Sequence, residues 1–198
     1  NSIASGGNYN VVVGDEAGTA ITTGDFNTAL GYQAGAAITT GIQNSLIGGT
    51  AGDALTTGSY NTAFGISALT RDTAGSKSVA IGTTALAYQN FTSATDAFNT
   101  AVGHEAGLSV TTGAGNTLLG GLAGDAITTG NDNTTLGYGS LSANTASNRN
   151  TAVGSATLAA FNVTTDTHTY NTALGYGAAN AVTTGIENTL IGGLAGDA

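Results

Sequence analysis

The sequence predicts an all-β protein, specifically a parallel β-solenoid (β-roll), from three observations. A short motif, Asn-Thr-Ala-aliphatic-Gly, recurs along the 198-residue chain. The spacing of that motif is too short for helical hairpin repeats, which need more than about 30 residues. Glycine recurs at fixed places within the repeat, and each glycine inside a helix would cost about 1 kcal/mol. Short strands joined by glycine corners, with one coil per repeat, fit all three observations.

The repeats form one uninterrupted array over residues 1–198. Each unit begins at an asparagine, or once at a serine, and the units start at Asn10, Asn27, Asn44, Asn61, Ser78, Asn99, Asn116, Asn133, Asn150, Asn171 and Asn188. The starts are 17 residues apart except for steps of 21 after Ser78 and Asn150, so that four units make a 72-residue super-repeat, at 27–98 and at 99–170. We therefore expect a single rod of 17-residue coils in which every fourth coil has 21 residues. Its strands would stack about 4.8 Å apart.

Two short extended runs in each unit predict two strands per coil, as around Leu30 and Ile38. With positions counted from the first residue of each unit, the fourth is aliphatic or aromatic throughout, which predicts the inward-facing core ladder of the first strand. That ladder is Val13, Leu30, Ile47, Phe64, Ile81, Val102, Leu119, Leu136, Val153, Leu174 and Ile191. The twelfth position predicts a second inward ladder, made of Ile21, Ile38, Leu55, Val110, Ile127 and Val182.

A coupled change in the third and fourth units of each super-repeat predicts two alternating coil cross-sections. In those units the twelfth position becomes Asp72, Gln89, Asn144 or Phe161, and the ninth, elsewhere mostly glycine, becomes Leu69, Leu86, Leu141 or Leu158. An inward aliphatic residue that is lost at one corner is thus replaced at another. The volume of the interior is then roughly kept.

The third position points opposite to its neighbours on the strand and is still mostly apolar, with Thr135 as the exception. Apolar residues on both faces of a strand predict that both faces are covered. Two large apolar residues per coil also make a thin interior, which is marginal alone at about 25 cal/mol per Å2 of buried apolar area. We therefore expect further copies of the chain as partners, in a homotrimer that is intertwined or side by side.

The first position of the units predicts a structural ladder of stacked amides that hydrogen-bond from coil to coil. Its members are Asn10, Asn27, Asn44, Asn61, Asn99, Asn116, Asn133, Asn150, Asn171 and Asn188. The glycine at the fifth position, as at Gly14 and Gly31, predicts a tight or left-handed corner.

The segment Lys77-Ser-Val-Ala-Ile-Gly-Thr-Thr-Ala resembles the head repeat of YadA-like trimeric autotransporter adhesins, whose units read Asn-Ser-Val-Ala-Ile-Gly followed by a small residue. The unit that starts at Asn27, with its Thr-Thr-Gly, resembles repeats of phage tail fibres and long bacterial surface proteins. The resemblance covers nearly the whole chain, although the adhesin unit is shorter. It implies left-handed β-rolls built from three parallel chains.

Composition and charge exclude several classes of partner. Twelve acids against three bases give a net charge of −9, which argues against nucleic acid and against an anionic membrane surface. No run of about 18 apolar residues exists, so we expect no membrane insertion. The chain has no cysteine, which excludes disulfides and thiolate metal sites.

The chain is not expected to be an enzyme, and we expect no catalytic residues, cofactor or metal. His104 and His168 stand in different unit contexts, which favours ordinary surface histidines over a metal ring on a threefold axis. Asp53, Asp125 and Asp197 recur 72 residues apart, which is roughly 19 Å along the rod and too far for one calcium site.

The leading functional hypothesis is a structural segment of an extracellular filament, a bacterial surface adhesin or a phage tail fibre. It would act as a rigid spacer that presents a binding tip, with any cell-surface glycan or protein bound through a tip outside this segment. Because the chain begins and ends inside a unit without a polar cap, we expect a segment of a longer fibre.

Two alternatives use the side of the rod. A side-binding adhesin for glycans or matrix protein would use aromatic residues at the last position (Tyr9, Phe26, Tyr60, Phe98 and Tyr170) and the sixth (Tyr32, Tyr138 and Tyr176). An ice-binding solenoid would use the Thr-Thr-Gly dyads, although these are broken in two units of every four, as at Thr73-Ala74.

Overall fold

A computed structural model describes residues 6–197, and over that range the chain is an all-β parallel solenoid with no helix. Residues 1–5 and 198, at the two ends of the predicted array, lie outside the described residues. The strands are β1 Val11–Val13, β2 Thr28–Leu30, β3 Ser45–Ile47, β4 Thr62–Phe64, β5 Gly75–Ser76, β6 Val79–Ile81, β7 Thr95–Asp96, β8 Thr100–Val102, β9 Thr117–Leu119, β10 Thr134–Leu136, β11 Thr151–Val153, β12 Thr172–Leu174 and β13 Thr189–Ile191.

Eleven of these strands stack into one parallel sheet, in chain order, and β5 pairs with β7 in a separate two-stranded sheet. Equal positions of successive units are paired, as Thr28 is with Ser45. The same register continues where the sequence step is longer, because Val79 pairs with Thr100. Backbone pairing therefore runs without a break through the sheet.

The second strand that the sequence predicts around Ile38 does not form. The backbone amides of Thr39, Thr40 and Gly41 all donate to one carbonyl oxygen, that of Thr56 in the next coil, at 2.9, 3.3 and 3.3 Å. The chain therefore bends sharply here instead of running straight. Ile38 still points inward and is fully buried.

The prediction that the fourth position forms the core is wrong. These side chains lie on the outer face of the sheet, and none of them is buried: Val13, Leu30, Ile47, Phe64, Ile81, Val102, Leu119, Leu136, Val153, Leu174 and Ile191. Phe64, for example, is 57% exposed. The interior is filled by the third position instead, where Ala29, Leu46 and Leu118 are fully buried.

The narrowness of the coil explains this reversal. Side chains alternate along a strand, so the second and fourth positions share one face, and the second position is mostly threonine. Small residues such as Ala29 and Ala34 fill the interior together with one larger residue at the twelfth position. A large strand residue enters the interior only in some coils, as at Leu46 and Leu118, and one in every coil would overpack it.

The ninth and twelfth positions share one space inside the coil. A Cβ atom at Gly35 would lie 2.8 Å from Cδ1 of Ile38 and 2.9 Å from Cδ1 of Leu46. Where Leu69 takes the place of that glycine, the twelfth position is Asp72, and both residues are fully buried. Leu69 keeps the left-handed backbone of Gly35, with φ of 56° in each. Leucine therefore occupies the space that the isoleucine leaves.

Asparagine side chains at the first position close each coil and join it to the next. Nδ2 of Asn44 donates to the carbonyl oxygen of Gly58 at 2.9 Å, within its own coil. Its Oδ1 accepts the backbone N–H of Asn61 at 3.0 Å, in the following coil. Each coil is therefore closed by a side-chain bond within one chain.

The fifth-position glycines form a row in which successive backbones are in close contact. Gly31 has a φ of 137°, a region that is essentially restricted to glycine. A Cβ atom there would lie 2.5 Å from the carbonyl oxygen of Gly48. Both the conformation and the close approach therefore require glycine at this corner.

Candidate functional site

The outer face of the eleven-stranded sheet is the candidate functional site, since it carries a continuous row of apolar side chains that are exposed or partly exposed. We define this face as the second and fourth positions of the units. The second position is threonine in most units, and the fourth is Val, Leu, Ile or Phe in all of them. Neither row contains an acid or a base, although the chain carries a net charge of −9.

Two further rows border this face, one at each end of the strands. The last position of a unit precedes the next strand, and the sixth position follows the strand after its glycine. We call these rows the N-terminal and C-terminal edges of the face. Phe26 and Tyr32, which flank β2, are both more than half exposed.

Aromatic residues on the N-terminal edge adopt a backbone conformation that is unusual for large side chains. Phe26, Tyr60 and Phe98 have φ of 59°, 62° and 50°. A left-handed backbone costs a residue other than glycine roughly 1–2 kcal/mol. Because these rings are also about half exposed, neither burial nor backbone preference within one chain accounts for them.

Some of these rings are covered by neighbours along the same edge. Tyr9 stacks on Phe26 with ring centroids 4.9 Å apart and an interplanar angle of 10°. The ammonium of Lys77 lies 5.1 Å from the centroid of Phe98. Phe26 and Phe98 are therefore each covered on one face by a neighbour in the same chain.

The three basic residues all stack on aromatic rings. Arg71 lies 4.4 Å from the centroid of the Tyr88 ring, and Lys77 also pairs with Asp96 at 2.7 Å.

Arg149 contacts both an aromatic and an acidic neighbour. Its Nη1 donates to the phenol oxygen of Tyr170 at 2.9 Å, and Asp132 lies 3.6 Å from its Nε. The hydrogen bond with Tyr170 raises the pKa of Arg149 above its ordinary value. Lys77 and Arg149 therefore each have an acidic neighbour, whereas Arg71 contacts only an aromatic ring among the described residues.

The structure keeps apart the two histidines that the sequence singled out. His104 is exposed and lies 3.8 Å from Glu105 of its own coil. His168 lies 3.4 Å from Nδ2 of Asn148, which also donates to Asp166 at 2.6 Å. Within residues 6–197, no group of three or more His, Asp or Glu side chains is placed to hold a metal ion.

Two of the recurring aspartates have different surroundings. Asp53 accepts a hydrogen bond from the hydroxyl of Thr70 in the next coil. Asp125 has a buried Oδ1 without a hydrogen-bond partner. Burial raises the pKa of the Asp125 carboxyl above its usual value, and the nearby charge of Glu105 adds to the effect, against the backbone amides of Asp125 and Ala126.

A buried polar cluster continues the amide ladder at Ser78, where the unit start is not asparagine. Nε2 of Gln89 donates to the hydroxyl of Ser78 at 3.1 Å and to the carboxylate of Asp72. Its Oε1 accepts Nδ2 of Asn99 at 2.9 Å. Asp72 also accepts two backbone amides at 3.0 Å. The sequence indicated Asp72 and Gln89 only as lost core residues, whereas Gln89 supplies the amide that Ser78 lacks and Asp72 accepts a hydrogen bond from it.

Most thirteenth-position threonines have a hydroxyl group that is bonded to the next coil. The hydroxyl of Thr39 donates to the carbonyl oxygen of Thr56 at 3.1 Å, and that of Thr56 donates to the carbonyl oxygen of Thr73 at 2.9 Å. The same bond is made in five of the six predicted ice-binding dyads, by Thr22, Thr39, Thr56, Thr111 and Thr128. The described residues also contain no helix that is long and apolar enough to cross a bilayer.

Fold and surface together define the class of protein, a single-chain parallel β-solenoid with an apolar, uncharged outer sheet face. No known family model, curated protein or solved structure matches the chain.

Proposed function

We propose that this chain is a non-catalytic rod, a spacer segment of an extracellular filament on a bacterial surface or a phage tail. The observation that carries the proposal is the unbroken bonding from coil to coil. Every strand of the main sheet pairs in register with the next, and the asparagine side chains add a second line of bonds. Eleven strands about 4.8 Å apart make a rod roughly 50 Å long. The resemblance to adhesin heads and tail-fibre repeats supports the same role.

The rod is proposed to work as a homotrimer of copies packed side by side through the outer face. That face is roughly 50 Å long and about 20 Å wide between its edges, or about 1,000 Å2. Shared between two neighbours, the face offers about 500 Å2 to each contact, or about 1,000 Å2 buried in total per contact, which is about the lower bound for a biological interface. Large apolar side chains without charges are also typical of the centre of protein interfaces.

The experiment is to measure the mass of the chain in solution by light scattering. We expect three times the 19.1 kDa chain mass. A double variant, Phe64→Lys and Leu136→Lys, places two charges on the outer face at exposed positions and should give a folded monomer. The matched control is Thr57→Lys on an exposed corner away from that face, which should remain trimeric. A monomeric parent chain at all concentrations would refute the trimer.

A second candidate function is a side-binding adhesin for glycans or matrix protein. The exposed aromatic residues of the N-terminal edge favour it, because Tyr60 and Tyr170 are each about half exposed. Screening the rod against glycans and matrix proteins would test this, with Tyr60→Ala and Tyr170→Ala as the variants expected to lose binding. Equal binding by the parent and the variants would refute the role of these rings.

A further inference from the structure

The residue types at the two edges of the outer face change with the same two-layer period along the rod. We define a layer as one strand of the main sheet with its two edge residues. Layers with a bulky C-terminal edge are those of Tyr32, Ile66, His104, Tyr138 and Tyr176, and the layers between them carry Gly49, Thr83, Gly121, Ser155 and Gly193. The alternation is strict over ten successive layers.

On the N-terminal edge, aromatic and non-aromatic residues alternate with the same two-layer period. The aromatic residues Phe26, Tyr60, Phe98 and Tyr170 precede the strands of the layers that end in Tyr32, Ile66, His104 and Tyr176. The intervening layers begin with Gln43, Lys77, Gly115, Arg149 and Glu187. Asp132 replaces the aromatic residue in the layer of Tyr138, and Tyr9 shares a layer with Asp15.

Contacts within one chain do not explain why the two edges agree. Phe26 and Tyr32 lie six residues apart on either side of β2, and their Cα atoms are at most roughly 20 Å apart. The Phe26 ring stacks on Tyr9 of the neighbouring layer, and among the described residues no ring contact joins Phe26 to Tyr32.

The layers between the bulky ones leave space along the C-terminal edge. A Cβ atom at Gly49 or Gly193 would meet no atom within 4 Å. At Gly121 the nearest atom would be Cδ2 of Tyr138, at 3.6 Å. A ring in one layer can thus spread over the small residue of the layer beside it, and bulky edges recur about 10 Å apart, every second layer.

We propose that the N-terminal edge of one copy contacts the C-terminal edge of the next copy in the same layer. Phe26 of one chain then packs against Tyr32 of its neighbour, and Tyr60 packs against Ile66, in a ring of parallel copies without axial offset. This arrangement rests on the proposed side-by-side trimer and specifies its contacts. In such a ring the contact is between two different edges, as in any cyclic assembly of more than two copies.

The chain offers a clean test because it has no cysteine of its own. The double variant Phe26→Cys with Tyr32→Cys places one thiol on each edge of one layer. Under mild oxidation we expect disulfides between copies and a covalent species of three chains on a denaturing gel. Both positions are exposed, so the substitutions leave the interior of the coil unchanged.

Three control variants test which edges meet and whether they meet in the same layer. Phe26→Cys alone and Tyr32→Cys alone should give no cross-link, because a ring brings unlike edges together, whereas a twofold dimer would link like edges. Phe26→Cys with Ile66→Cys shifts one thiol by two layers, about 10 Å, beyond the 7 Å limit between the Cα atoms of a disulfide. This pair should also stay unlinked.

The outcomes separate this inference from the trimer itself. Suppose that the parent chain is trimeric. The edge contact would then be overturned, and the trimer would stand, if the same-layer pair gave no cross-link or if a single variant gave one. A parent chain that is monomeric would overturn both. Cross-linking by the shifted pair as strong as by the same-layer pair would overturn the absence of axial offset.

Discussion

The side-chain oxygen of Asn44 accepts the backbone N–H of Asn61 at 3.0 Å, and both residues are buried. This bond recurs between successive asparagines and is the principal side-chain link between coils. Its counterpart inside the coil is the bond from Nδ2 of Asn44 to Gly58.

Replacing Asn44 by alanine should therefore destabilise the rod by about 2–4 kcal/mol, since it strands the Asn61 amide and the Gly58 carbonyl in the interior, at about 1–3 kcal/mol for each unpaired group. Urea denaturation would measure the change. Thr40→Ala, at an exposed corner, should shift stability by less than about 0.5 kcal/mol. Equal effects of the two variants would contradict the role of the ladder.

Two glycines of neighbouring units make a second matched comparison. Gly31→Ala forces a Cβ to within 2.5 Å of the Gly48 carbonyl oxygen at a φ of 137°, so we expect loss of more than about 3 kcal/mol or failure to fold. Gly49→Ala meets no atom within 4 Å and should be neutral or slightly stabilising. Thermal unfolding followed by circular dichroism distinguishes them, and similar melting temperatures would contradict the close approach.

The shared space at the ninth and twelfth positions predicts strong coupling between Gly35 and Ile38. Gly35→Leu alone should clash with Ile38, and Ile38→Asn alone should leave a cavity and a buried amide. In the double variant the leucine fills the cavity, as Leu69 does beside Asp72. A double-mutant cycle should give a favourable interaction energy of at least about 1 kcal/mol. Additive effects would show that the two positions do not share their volume.

Asp125 predicts a dependence of stability on pH. Burial raises its pKa in the folded state, so folding favours the protonated form. The fold is then relatively more stable at acidic pH and loses that advantage as the pH rises through the folded-state pKa. Asp125→Asn should raise the melting temperature at pH 7, with a gain that shrinks toward pH 3.

The control for that variant is Asp53→Asn, 72 residues earlier in the sequence. Asp53 is bonded to the hydroxyl of Thr70, so its replacement should give no gain at pH 7. A gain at Asp53 equal to that at Asp125 would contradict burial of an unpaired oxygen as the cause.

The solenoid class and the array could be predicted from the sequence because the period is strict. The orientation of the strand could not be obtained from hydrophobicity, since the third and fourth positions are both apolar. A usable signal was present in the second position: threonine there shares a face with the fourth position and indicates that Leu30 points outward with Thr28. Size was a misleading guide, because Leu30 is larger than Ala29 and yet Leu30 is 44% exposed while Ala29 is fully buried.

The polar cluster around Gln89 could not be predicted from the repeat pattern. It depends on a side chain that crosses the coil interior to Ser78, and equal positions in a repeat give no information about contacts across a coil. The shared two-layer period of the last and sixth positions is visible in the sequence. Its interpretation as a contact between copies depends on knowing that these two positions flank the same strand on the outer face.

Apart from the coil of Ser78, where Gln89 takes over the bonds of the ladder, the coils offer their successors the same kinds of donor, acceptor and glycine surface. A gene encoding such a chain could gain or lose a block of four coils by unequal recombination, and the new junction would be as well bonded as the old ones. The length of the molecule is thereby free to vary under selection while its cross-section stays constant.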